Sequence, residues 1–137
     1  MSSSVGLVPG VRLTSPCRFV VLVLIGILGA APAWAQDAAR GQKQFAKCRA
    51  CHSVDANARN GIGPNLHGLF GRTSGTKEGF TYSPAMKKSD IVWNEQTLAK
   101  YIGDPRSVVP GNKMAFPGIK REDEIKDLLA YLKEATK

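Results

Sequence analysis

Near the end of the chain, Ile125, Leu128, Leu129 and Leu132 fall at i, i+3, i+4 and i+7, a spacing that gathers apolar side chains on one helix face. Glu122, Asp123 and Glu124 crowd the first turn of that pattern and Lys133 and Lys137 lie near its end, charges that complement the helix dipole. A second helical stretch runs from about Asp37 to Cys48, where Gly41 and Phe45, four apart, share a face. Glycine inside a helix costs about 1 kcal/mol against alanine, so Gly41 predicts close approach of another backbone. A third helix is predicted from Glu95 to Ile102, with Asn94 as N-cap and Gly103 just past its end; Asp104-Pro105 prevents continuation. Ser83-Pro84 reads as a cap and first-turn proline opening one short turn over Ala85-Met86-Lys87-Lys88.

The middle of the chain gives no such pattern. Six glycines, a proline and several Asn, Ser and Thr residues lie between Ser53 and Tyr82, and no period-2 run long enough for a strand occurs anywhere. A loop of that length argues against a compact domain, unless something other than protein fills the interior.

The front of the chain is different again. Its first 35 residues hold Arg12 and Arg18 and no acid, with an uncharged run from Phe19 to Ala35. A basic start, an apolar stretch and the small residues of Ala33-Trp34-Ala35 read as a secretory signal cleaved between Ala35 and Gln36. The competing reading is a retained anchor. The apolar stretch, broken by Gly26 and Gly29 and closed by Pro32, is short against the ~20 residues of a spanning helix. Of the 137 residues, export leaves 102, and the formal charge falls from +8 to +6 because two arginines depart. Cys17 departs as well, leaving Cys48 and Cys51. So small a domain buries a modest core and benefits from an additional staple.

Those two cysteines carry the chemistry. Cys48-Arg49-Ala50-Cys51-His52 places two thiols one helical turn apart and a histidine directly after them, the pattern of covalent haem attachment. Two thioether bonds to the vinyl groups suit that spacing, and the next residue brings an imidazole beneath the iron. A dithiol redox site would sit in a βαβ pattern, which is absent from the sequence. A zinc site needs four ligands, and Cys48, Cys51, His52 and His67 do not match finger spacing. A structural disulfide would give His52 no purpose. For the second axial position the residues offer Met86, Met114 and His67. Met114 lies in the stiff, proline-flanked segment Pro110-Gly111-Asn112-Lys113-Met114-Ala115-Phe116-Pro117; Met86 reads as filler at the core edge, and His67 as a solvated loop residue.

The sequence resembles the class I c-type cytochromes shared by mitochondria and bacterial periplasm. The likeness covers Gly41 to about Thr136 and rests on Cys48–His52, Gly63-Pro64-Asn65-Leu66, Gly79-Phe80-Thr81-Tyr82, Trp93, Pro110–Met114 and Leu128–Lys133. It implies an all-α fold, a signal at 1–35 and a haem domain at 36–137, with terminal helices crossing and shorter helices and loops wrapped around one covalently attached haem c. It implies axial iron ligation by His52 and Met114, and a Pro64 carbonyl that accepts a hydrogen bond from the His52 ring. It implies contact of Gly41 and Phe45 with Leu128 and Tyr131, and Tyr82, Trp93 and Arg72 around the haem propionates. Tyr101 should lie near the Met114 sulfur, and Phe116 beside the exposed haem edge. Met86 stands where many relatives carry an asparagine that helps hold a buried water, and Asn112 replaces a common threonine; both alter the hydrogen-bond network beside Met114.

An iron with both axial positions filled leaves no vacancy for substrate, so the resemblance implies an outer-sphere electron carrier in the periplasm and not an enzyme. Methionine paired with histidine raises the reduction potential. A membrane-tethered redox subunit would need the signal retained, and a haem enzyme or gas-binding protein would need an open iron. The family positions of Lys47, Arg59, Arg106, Lys113, Lys120 and Arg121 surround the haem edge, a basic ring that steers the protein onto acidic faces. The implied partners are a bc1-type reductase, a terminal oxidase or other reductase, or a photosynthetic reaction centre, met transiently by a monomer. Nucleic acid is excluded by export and by the lack of an aromatic-basic patch.

Overall fold

In the computed structural model, residues 37–137 are described. The export signal and its cleavage point after Ala35 lie outside them. The order of elements is α1 (Ala38–Phe45), α2 (Pro84–Lys88), α3 (Glu95–Gly103), α4 (Pro105–Val108) and α5 (Glu122–Ala135). Among the described residues there is no strand, only one isolated antiparallel bridge between Thr73 and Val92. The fold is the all-α one expected.

Four of the five helices begin where a side chain supplies a partner for free backbone N–H groups. The Asp37 carboxylate accepts from the amides of Ala39 and Arg40. Ser83 caps α2 through the Met86 amide, with Pro84 in the first turn. Asn94 accepts from the Gln96 and Thr97 amides, and Thr97 Oγ1 accepts in return from the Asn94 N–H, closing a capping box. α5 has no capping side chain; its three first-turn acids act on the helix dipole instead.

α3 runs one residue past the expected Ile102, through Gly103, and two larger differences appear. α1 stops at Phe45, and the residues to Cys51 form tighter turns. Asp104-Pro105 ends α3, as expected, but it also starts α4, which the sequence reading did not anticipate. Pro105 occupies the first turn, and the Asp104 carboxylate takes the Ser107 N–H at 3.1 Å and the Ser107 hydroxyl at 2.9 Å.

α1 and α5 meet at backbone distance. A Cβ built on Gly41 would stand 2.0 Å from the Asp127 carbonyl oxygen and 2.8 Å from the Tyr131 Cβ, so only glycine fits. Below this contact the Phe45 and Tyr131 rings pack with centroids 5.3 Å apart, and Leu128 is fully buried. Arg40 Nε donates to Asp127 Oδ2 at 2.7 Å, and the Asp37 N–H donates to Asp127 Oδ1 at 2.9 Å. The pairing of terminal helices inferred from the glycine is therefore present. Leu98, Tyr101 and Ile102 of α3 and Leu128, Leu129 and Leu132 of α5 join Phe45 in the core. The long glycine-rich segment closes around them: Gly68 N–H reaches the Thr136 carbonyl at 2.6 Å, and Gly71 N–H the Trp93 carbonyl at 2.8 Å.

Candidate haem-binding site

Where α1 ends, the chain tightens. The Cys48 N–H donates to the Phe45 carbonyl at 2.8 Å, and the amides of Cys51 and His52 both donate to the Cys48 carbonyl, at 3.0 and 2.9 Å. One compact turn thus presents Cys48, Cys51 and His52 to the same cavity. Both cysteines are free and half-buried, and burial pushes the Cys48 thiol above its ordinary range despite Lys47 beside it. Among the described residues no group of three or more His, Cys, Asp or Glu side chains is placed to hold a metal ion, so the zinc alternative lacks a ligand set.

His52 Nδ1 lies 2.7 Å from the Pro64 carbonyl oxygen. A carbonyl only accepts, so Nδ1 carries the proton. Burial depresses the imidazole pKa, with the Pro64 bond opposing in part, so the neutral ring is favoured. Nε2 therefore keeps its lone pair free for a metal. Gly63 makes this approach feasible: a Cβ there would fall 2.4 Å from the His52 ring. Pro64 is held in turn by its neighbour Asn65, which is almost wholly buried and uses both N–H donors and the oxygen of its amide. Its Nδ2 donates to the carbonyls of Asp55 and Ala58, and its Oδ1 accepts from the His67 N–H. Asn60 extends the net, accepting from the Asn65 N–H and donating to the Glu78 carbonyl. Sequence reasoning missed the roles of Asn60 and Asn65, because their partners are loop carbonyls that no pattern marks.

Met114 reaches the cavity from the proline-flanked loop. Its backbone is fixed by Asn112, whose Oδ1 accepts from the Met114 N–H at 2.9 Å while its Nδ2 donates to the carbonyls of Pro105 and Val109, both at 2.8 Å. The departure at Asn112 thus ties this loop to α4. Met86 also lines the cavity, but as a member of the buried core; it is more than the edge filler expected. His67 is half-buried and does not line the cavity.

The remaining expected residues come together as well. Trp93 and Tyr101 are buried with ring centroids 5.0 Å apart, and burial, reinforced by Tyr82, pushes the Tyr101 phenol up to about 12. The Arg72 guanidinium donates to the carbonyls of His67 and Asn65, and partial burial lowers its pKa without discharging it. Tyr82 is half-buried, its phenol pushed up by burial against the pull of Arg72. Phe116 stands at the rim. Of the six basic residues expected around the edge, Lys47 and Lys113 also line the cavity. Lys120 donates to the Gly103 carbonyl, and Arg121 pairs with Asp123 and Glu124.

The cavity measures about 650 Å³ and its walls are mostly apolar. That is the size and character of a cofactor cleft. Two thiols, a neutral imidazole with a free nitrogen, a thioether and a few convergent polar groups are a donor set that fits a covalently bound haem.

The family model described as cytochrome c matches residues 38–136. The chain belongs to the cytochrome c family. It is 53% identical over 104 residues to cytochrome c2 of Blastochloris viridis, covering 76% of this chain and 82% of that one. It is 50% identical over 103 residues to cytochrome c of Nigella damascena, covering 74% and 93%. Cytochrome cH from Methylobacterium extorquens is a structural neighbour with a TM-score of 0.67 and 43% identity, over 72% of this chain and 98% of that one. As a member of the family the chain is an electron-transfer carrier, and its cofactor is one covalently attached haem c.

Proposed function

We propose that this cytochrome c is a soluble, monomeric periplasmic carrier that passes single electrons through a His/Met-ligated haem. Cys48 and Cys51 would hold the cofactor through their sulfurs, and His52 and Met114 would supply the nitrogen and sulfur ligands to its iron. When bound, the haem supplies a one-electron iron couple, whose potential a methionine ligand raises. The chain's own residues do the rest. Pro64 fixes the His52 ring and its tautomer. Phe45, Leu98, Leu128 and Leu132 exclude water from the cavity. Arg72, Tyr82 and Trp93 supply a cation and donors for the propionates, and Phe116 covers the exposed edge. With both axial positions held, no substrate reaches the iron, which supports outer-sphere transfer.

The observation that carries this reading is His52, oriented by Pro64, sharing one apolar cavity with the anchored Met114. Export to the periplasm is supported by the signal-like sequence before Gln36. Acidic-faced redox proteins, of the bc1-type reductase, terminal oxidase or reaction-centre kind, are the partners that Lys47 and Lys113 at the cavity rim would meet.

An absorption spectrum tests the ligation. The oxidised protein should show the weak near-infrared-edge band of sulfur–iron bonding, and Met114→Ala should abolish it and let carbon monoxide bind the reduced protein freely. An oxidised wild-type spectrum without the band at neutral pH would defeat the assignment of Met114.

A further inference from the structure

α2 is five residues long, and a single helical turn has no stability of its own in water. Tertiary contacts must hold it, and they form a chain of hydroxyls. The Ile91 N–H donates to Ser74 Oγ at 3.0 Å, the Ser74 and Ser89 hydroxyls are 2.7 Å apart, and the Ser89 hydroxyl donates to the Met86 carbonyl at 2.9 Å. An amide only donates and a carbonyl only accepts, so the protons run one way: Ile91 to Ser74, Ser74 to Ser89, Ser89 to Met86. Ser74 is 2% exposed, and its own N–H donates back to the Ile91 carbonyl at 2.7 Å. Beside it, Gly75 lies flush against α2: a Cβ there would be 2.8 Å from the Lys87 Cα and 3.0 Å from the Met86 carbonyl oxygen.

On its other side α2 faces the haem cavity and the methionine loop together. Met86 lines the cavity. Ala85 backs the loop: a Cβ built on Gly111 would lie 3.4 Å from the Ala85 Cβ. Gly111 belongs to Pro110–Pro117, the segment that carries Met114. Asn112 ties that segment to α4 and the Val109 carbonyl; Ala85 of α2 lies nearest it at Gly111, on the face of α2 away from Ser74 and Ser89.

We propose that Ser74 and Ser89 form a latch, holding α2 against the Met114 loop and so keeping that methionine on the iron. They are positioning residues, acting through Ala85 and Met86, and the inference rests on the reading of Met114 as an axial ligand. Breaking the latch leaves the Asn112 ties intact, so the loop keeps its fold but opens more often.

Carbon monoxide reads that opening, because it enters the reduced protein only when Met114 has left. In stopped-flow mixing of the full haem protein with carbon monoxide, Ser89→Ala and Ser74→Ala should each bind about tenfold faster than wild type, the effect of one lost buried hydrogen bond on an opening equilibrium. Ser89→Thr, which keeps the hydroxyl, should stay within about twofold. Thr136→Ala, which removes a buried hydroxyl bond at the far end of α5, should lower the Tm without raising the carbon monoxide rate. If neither alanine variant assembles with haem, amide exchange on the unaltered protein decides: the Ile91 amide should open in step with carbon monoxide entry as temperature rises. An Ile91 amide that stays protected while carbon monoxide enters would overturn the latch. So would unchanged rates in both serine variants of a protein whose oxidised wild type shows the sulfur–iron band. Absence of that band in the wild type would instead remove the Met114 assignment, and the latch with it.

Discussion

Asp90 is the one described non-glycine residue with a positive φ, 48°. The left-handed conformation costs an L-residue about 1–2 kcal/mol, less for aspartate, whose short polar side chain tolerates it. Asp90 is exposed and its side chain makes no hydrogen bond among the described residues, so nothing local offsets that cost. Asp90→Gly should therefore raise stability by no more than about 0.5 kcal/mol after the extra backbone entropy of glycine is subtracted, read as a slightly higher denaturant midpoint at unchanged slope. No change, or a loss, would mean that the carboxylate serves the Ser89–Ile91 turn. At this scale the chain was unevenly legible. Cys48, Cys51 and His52 are adjacent, so their joint chemistry can be read without a fold. Pro64, Arg72, Tyr82, Trp93, Tyr101, Met114 and Phe116 were placed by resemblance, and the structure brings all of them to one cavity. Asn60, Asn65 and the Ser74–Ser89 pair stayed hidden. Their role lies in partners reached only after folding, and an isolated serine or asparagine in a glycine-rich stretch looks like any turn residue.

Among the elements, α1 and α5 show how an electrostatic contact follows from a steric one. Gly41 lets the helices close to backbone distance, and closure places Asp127 against Arg40 and the Asp37 N–H. The Arg40 hydrogen bond, then the Asp37 amide, holds the Asp127 carboxyl below the usual carboxylate range, with Asp123 on the same helix opposing weakly. A group with a depressed folded pKa contributes stability above its unfolded value, near 3.9, and loses it as pH falls through the lower folded value. Asp127→Asn should accordingly be less stable than wild type at pH 7. The gap between the two should narrow below about pH 4 as the wild-type carboxylate takes up its proton. Chemical denaturation from pH 7 to pH 2 measures that gap, and a constant difference would show that the contact is only steric. Asp104 and Asp123 are depressed too, but they are present in both proteins and cancel in the comparison. The glycine half of this interface was legible in the sequence, since a mid-helix glycine demands a reason. The aspartate half was not, because Asp127 falls outside the Ile125, Leu128, Leu129 and Leu132 face, so the periodicity marks it as an ordinary solvent-facing acid.

For the whole molecule, two lysines of the basic ring read from the sequence, Lys47 and Lys113, line the cavity itself, and these two are unequal. Lys47 is paired with Glu124 at 3.2 Å, so part of its field is neutralised. Lys113 has no ion pair among the described residues and stands on the loop that carries Met114. Ile62, 81% exposed, also lines the cavity and projects outward because Gly61 and Gly63 on either side press against Cys51 and His52. Charges act at a distance and are screened by salt, whereas an apolar knob acts only in contact and is not. Reduction by a purified bc1-type reductase over a salt series should separate the two. Lys113→Glu should slow the reaction about five- to tenfold at low salt and approach wild type near 0.5 M, where the screening length is only about 4 Å. Lys47→Glu should cost less in rate, because its charge is already half spent, but more in stability, because it sets a second acid against Glu124. Ile62→Ser should slow the reaction by a similar factor at every salt concentration. If all three variants share one salt dependence, steering and contact are not divided between these residues, and the partner docks on some other face of the protein.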